Sequence, residues 1–237
     1  MEEIMNSTFA QTTSMVKVNT FIRSVYNWMT IGLVLTGFTS FFVSRSPVLL
    51  QAFYGNPVMP IVLFIGLIIL CGFLSARIQK IQASTATGLY VALTVAYGVV
   101  LTPIFLIYTS ASIVSTFFIC AATFGAASVY GMVTKKDLTG MAQFLMMGLI
   151  GIIIAMVVNI FIGSTMMQTI ISMIAVVIFT GLTAYDTQKL KNMAVTLPDN
   201  ASGAMVRKGA IMGALSLYLD FMGLFIHLMH LLGVARE

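Results

Sequence analysis

The chain has 237 residues, of which 59% are hydrophobic and only 8% charged, with a formal net charge of +5. Soluble domains carry about 25% charged residues and need them to cover their surface, so a water-soluble globular fold is excluded. The positive balance does not indicate nucleic acid, because the basic residues are scattered through short connections and form no cluster on a soluble face.

The residues before Tyr26 are polar, with acids at Glu2 and Glu3 and bases at Lys17 and Arg23. They lack the basic-then-apolar pattern of a cleaved signal, so residues 1–25 are expected to be a retained tail. Apolar runs near the ~20 residues that cross a hydrocarbon core follow over 26–44, 57–76, 86–108, 111–133, 140–162, 166–190 and 209–232. This predicts an all-α integral membrane fold, a seven-transmembrane-helix bundle filling 26–232.

Basic residues alternate between the connections. Lys17 and Arg23 precede the first span, Arg77 and Lys80 follow the second, and Lys135 and Lys136 follow the fourth. Lys189, Lys191, Arg207 and Lys208 surround the connection after the sixth, whereas the connections after spans one, three and five offer only Arg45. The positive-inside rule then places the N-terminus in the cytoplasm. A full seventh crossing puts Arg236 and Glu237 outside, and a re-entrant one keeps them inside; both remain open at this stage.

Within the spans, Cys71 and Cys120 have no CxxC spacing and read as small core residues. Pro103 in the third span is expected to kink it and free a carbonyl. Asn159 in the fifth reads as glue between helices. The polar stretch Asn192–Lys208, with Pro198, Asp199, Asn200 and Gly203, reads as a cytoplasmic connection.

Two acids stand at membrane depth, Asp186 and Asp220. A carboxylate at a helix centre costs about 3 kcal/mol on insertion scales, so such groups usually face the protein interior and serve a function. At about 1.5 Å per residue, Asp220 lies ~16 Å beyond Gly209, near the midplane. At 100° per residue, Gly209, Gly213, Ser216, Asp220, Gly223 and His227 share one narrow face of the seventh helix. A small and polar face packs against protein rather than lipid, which predicts that the last helix is central. On that face His227 either relays protons or bonds a carbonyl. His230 lies off it and reads as interfacial. A His227–His230 metal pair lacks an evident third ligand.

The segment Phe179-Thr-Gly-Leu-Thr-Ala-Tyr-Asp-Thr-Gln-Lys-Leu-Lys191 and the segment Gly213-Ala-Leu-Ser-Leu-Tyr-Leu-Asp-Phe221 resemble the two signature stretches of the Bax inhibitor-1 family, in its bacterial branch. Val25-Tyr-Asn-Trp-Met-Thr, Ser128-Val-Tyr-Gly and Thr134-Lys-Lys-Asp-Leu-Thr-Gly140 extend the likeness over nearly the whole chain past residue 20. The resemblance implies a seven-helix fold with a central last helix. It also implies a pH-sensitive calcium leak governed by an aspartate pair, here Asp186 and Asp220. It implies a basic latch at the end of the second span, for which Arg77 and Lys80 both qualify. No acid stands between Pro57 and Ala76, and Gly223 and His227 occupy positions that are usually polar in the family; both are departures.

Two carboxylates in contact at low dielectric cannot both ionise cheaply, so they share a proton. The shared proton would hold the last two helices together, and its loss would create repulsion and a cation site. Calcium takes 6–8 oxygens and the pair supplies four at most, so Asp186 and Asp220 form a weak calcium site completed by carbonyls and water. The resemblance implies calcium as the transported ion, with no tightly bound cofactor. No Ser/His/Asp order, metal motif or phosphate loop appears, so enzyme chemistry is not expected. The competing reading is a non-transporting protein that modulates a membrane protease or another stress-response partner, with the N-terminal tail as the contact. The very short connections and the bacterial-type match favour an inner membrane.

Overall fold

A computed structural model describes residues 2–198 and 200–236, with side chains described from Val18 onward. The elements are α1 (Glu2–Arg45), α2 (Pro47–Tyr54), α3 (Val58–Arg77), α4 (Ala83–Ile107), α5 (Ser110–Val133), α6 (Thr139–Ile162), α7 (Thr165–Thr196) and α8 (Gly203–Leu232). Among the described residues, seven helices are long and apolar enough to cross a membrane, the first from Val18 and the second from Met59. The protein is an all-α integral membrane protein. Only helices let an apolar chain satisfy its own backbone in lipid without closing a barrel.

Helical backbone extends beyond the spans read from the sequence. Helix α1 already begins at Glu2, so the stretch read as a tail is helical backbone. Helix α2 was not anticipated: Ser46 caps it by accepting from Leu49 N, and Pro47 follows, a sequence signal for a helix start. Helices α7 and α8 extend over most of the stretch read as a polar connection, leaving only 197–202 between them. Lys189 and Lys191 are therefore helical, as are Arg207 and Lys208, because polar residues end a membrane span without ending the helix. Asp199 lies outside the described residues.

The chain separates into two compact units: Met1–Val100 with Lys189–Leu215, and Leu101–Gln188 with Ser216–Glu237. In the first, Phe21, Val25, Tyr90, Leu93, Ile211 and Leu215 are buried. The Tyr90 hydroxyl donates to Trp28 O at 2.9 Å, and Thr36 Oγ1 donates to Thr94 O at 2.9 Å. Pro103 has no N–H to offer the Val99 carbonyl, which instead accepts from the Tyr54 hydroxyl of α2. Lys208 Nζ donates to Gln79 O (2.9 Å) and Ile81 O (3.2 Å), taking carbonyls left over where α3 ends. Beside it, Arg207 Nε donates to Thr87 Oγ1 at 3.1 Å, and its guanidinium lies 5.7 Å from the Trp28 ring centre.

In the second unit, α6 and α7 pack through Leu145, Ile152, Ile171, Ala175, Ile178 and Leu182. A Cβ at Gly131 would collide with the Ala184 carbonyl, so α5 and α7 meet backbone to backbone, the close approach that small residues permit between membrane helices. Gln188 is buried: its Oε1 accepts from Leu138 N at 3.0 Å and its Nε2 donates to Lys136 O at 2.8 Å, fixing the α5–α6 connection. After α8 the chain runs along the α4–α5 connection. Thr109 N donates to Val234 O (3.0 Å), Arg236 N to Ile107 O (2.8 Å) and Val234 N to Ser112 Oγ (2.9 Å). Helix α8, 30 residues or about 45 Å long, is long enough to cross a membrane.

Candidate site on the last two helices

Two thirds of the apolar stretch of α8 is buried (67%), against at most 39% in any other span. Asp220 stands near the middle of this helix, 6% exposed, in the second unit. One of its carboxyl oxygens, Oδ2, is fully buried and makes no hydrogen bond among the described residues. Asp186 of α7, half-buried, is close enough for its charge to act directly on Asp220. The structure thus brings together the two acids that the sequence singled out. Thr187, next to Asp186, donates to Ser128 Oγ of α5 at 3.4 Å, and Cys120 Sγ donates to Phe221 O at 3.7 Å, so α5 braces both helices at this depth.

Beyond the pair, α7 and α8 meet at two further contacts. Ser172, Phe179 and Asp186 recur every seven residues, two helical turns, on one face of α7. On α8, which runs the opposite way, His227 meets Ser172 and Gly223 meets Phe179. His227 Nδ1 lies 3.3 Å from Ser172 Oγ, and both residues are buried. The Phe179 ring occupies the space that a side chain at Gly223 would need, and it stacks on the His227 ring at 6.0 Å and 24°. Among the described residues, His227 pairs with the Ser172 hydroxyl and packs on the Phe179 ring.

His230 is exposed at the end of α8, its ring centre 6.1 Å from that of His227. Its Nδ1 lies 3.2 Å from Gln168 Nε2, and Gln168 Oε1 accepts from Asn159 Nδ2 at 3.3 Å. Asn159 Oδ1 in turn accepts from Ser164 N at 3.1 Å, so this residue closes the α6–α7 turn as well as linking the helices. Among the described residues no three His, Cys, Asp or Glu side chains converge as metal ligands.

Arg77 ends α3 and Lys80 follows it, both exposed and both in the first unit, whereas the aspartates are in the second. Gly209 and Gly213, on the same face of α8 as Asp220, pack in the first unit, where a Cβ at Gly213 would meet Leu190 and Val25. Asp137 in the α5–α6 connection is exposed, and the Thr139 hydroxyl (2.6 Å) and then the Thr139 amide (2.9 Å) hold its carboxyl below the ordinary aspartate range. The sequence reading missed Gln188, Tyr54 and the seating of Phe179. The spacing of seven between Ser172, Phe179 and Asp186 was the available signal for the last.

The family model described as "Inhibitor of apoptosis-promoting Bax1" matches residues 18–237. The chain is 43% identical over 219 residues to the inner membrane protein YbhL of Escherichia coli (strain K12), covering 92% of this chain and 93% of that protein. It is 39% identical over 219 residues to an uncharacterized protein of Borreliella burgdorferi (92% and 94% covered). It is 41% identical over 221 residues to the uncharacterized protein RP147 of Rickettsia prowazekii (92% and 90% covered).

Proposed function

The chain belongs to the Bax inhibitor-1 family, and on that footing we propose that it is a pH-sensitive calcium leak channel gated by Asp186 and Asp220. The observation that carries this reading is the buried, unbonded carboxyl oxygen of Asp220 facing a second acid. A buried carboxyl without a full set of partners costs stability, and a protein retains it where it does work.

The two carboxyls share one proton when closed. Loss of that proton as pH rises puts like charges together at low dielectric, which separates α7 from α8 and creates an oxygen site for a cation. Two carboxylates provide too few oxygens for tight calcium binding, and a weak site suits passage. The last helix acts as the central element of the fold, and a base at the end of α3, Arg77 or Lys80, latches the closed state. The membrane is the bacterial inner membrane, as in the name of the Escherichia coli relative, and the N-terminus faces the cytoplasm. A reporter fused after Arg45 is then periplasmic and one after Lys136 cytoplasmic; both on one side would overturn that orientation.

The function is tested with purified protein in calcium-indicator liposomes across a pH series. The reading expects calcium entry that rises with pH. No entry at any pH discards it. The alternative, a protein that modulates a membrane protease, would then take its place, supported by the helix that α1 adds from Glu2 ahead of its membrane span at Val18.

A further inference from the structure

The geometry points to Phe179, seated in the notch left by Gly223, as the hydrophobic seal of the ion path between the aspartate pair and the end of the protein where His230 stands. This inference rests on the channel reading and assigns that path its barrier.

Between the aspartate pair and the Ser172–His227 contact, the contact of Phe179 with Gly223 carries no polar side chain. Below it stand Asp186 and Asp220; above it stand Ser172 and His227, 3.3 Å apart. Seven residues of helix separate Asp220 from His227, about 10.5 Å along the axis. On α8 Gly223, which contributes no side chain, and the buried Leu224 lie in that interval. The space is filled by the Phe179 ring from the other helix, which also lies flat against the His227 ring.

The layer above the ring connects to the protein surface. His230 is exposed, its ring 6.1 Å from His227, and Gln168 and Asn159 continue the polar line to the α6–α7 turn. Polar groups therefore lead from that end to Ser172 and stop at the ring, and they resume at the pair. A narrow apolar constriction between two polar layers blocks ions by excluding water from a short length of path. The seating also couples the seal to the gate. Phe179 and Asp186 lie two turns apart on one face of α7, and Gly223 and Asp220 one turn apart on α8, so repulsion between the acids separates the helices that hold the ring. Thr183 Oγ1 donates to Phe179 O at 2.8 Å, a bond within α7 that moves with the ring.

The test uses the full chain in calcium-indicator liposomes at the acidic pH where wild-type entry is lowest. Phe179→Ala, Phe179→Val and Phe179→Leu grade the size of the ring's replacement while keeping it apolar. The seal predicts acid-pH entry raised on the order of tenfold by Ala, less by Val, and near wild type with Leu, which still fills the notch. Each variant is first checked for a single monodisperse species in detergent, and Val carries the test if Ala does not fold. Unchanged acid-pH entry in the folded variants overturns the seal, as does an equal rise in all three, which would mark loosened packing. Wild-type protein that passes no calcium at any pH is a different result, and it removes the channel reading itself.

Discussion

Helices α6 and α8 are both long enough to cross a membrane, yet they use their surfaces in opposite ways. In α6 only 11% of the apolar stretch is buried; in α8 67% is. Helix α6 exposes Phe144, Met147, Ile150, Ile154 and Phe161, and its glycines 140 and 151 have open space where a Cβ would stand. Helix α8 buries Asp220 and His227 among Leu217, Leu224 and Met229, and its glycines 213 and 223 have neighbours pressed against them. Lipid accepts any apolar side chain, so the exposed face of α6 is constrained by little beyond length, while its narrow buried face holds Leu145, Gly148 and Ile152 against α7. Protein packing accepts only matching shapes, so α8 is constrained at every position on the face that carries Asp220.

The sharpest way to break this contrast is a matched pair of glycine substitutions. Gly223→Leu forces out the Phe179 ring and is expected to destabilise by about 1–3 kcal/mol, the usual cost of overpacking. Gly151→Leu meets nothing and is expected to stay within about 0.5 kcal/mol of wild type. Thermal unfolding in detergent measures both. Equal losses would mean that α8 is no more tightly packed than α6.

A second substitution asks whether the connection beside the pair is held as tightly as α8. Gln188→Leu leaves the Leu138 amide and the Lys136 carbonyl without their partner, at a cost of about 1–3 kcal/mol for the buried amide. The same unfolding assay reads it, and a loss no larger than that of Gly151→Leu would show that water replaces both bonds.

The smallest effect is expected at Asp137. Its folded-state carboxyl titrates below its unfolded value because Thr139 donates to it. The resulting stability is present above the unfolded value and is lost as pH falls through the lower folded one. Asp137→Asn should therefore differ slightly from wild type near neutral pH, and the difference should vanish in strong acid. A difference that persists in acid would show that the carboxylate charge is not the cause.

The span count was legible because bilayer thickness imposes a length on every apolar run. Asp186 and Asp220 were legible because a carboxylate at that depth is costly enough to stand out against 59% hydrophobic residues. Helix α2 and the long ends of α1, α7 and α8 were not, since hydropathy reports where lipid begins and helices continue past that point into polar sequence. Phe179 was missed for another reason. An aromatic residue in a membrane helix is ordinary, and its spacing of seven from Ser172 and Asp186 gains a meaning once the missing side chain at Gly223, forty-four positions away, gives the ring a seat. Tyr54 is similar: Pro103 announced a freed carbonyl at Val99, but nothing local named the hydroxyl that takes it.

The central claim, that the proton shared by the aspartate pair sets the gate, is tested most directly by the pH profile of calcium entry for wild type, Asp186→Asn and Asp220→Asn in liposomes. An amide occupies the same space and cannot ionise, so the repulsion that separates α7 and α8 never develops. The account predicts entry that rises with pH in the wild type and a flat profile in both variants. Wild-type pH dependence retained by both would contradict it.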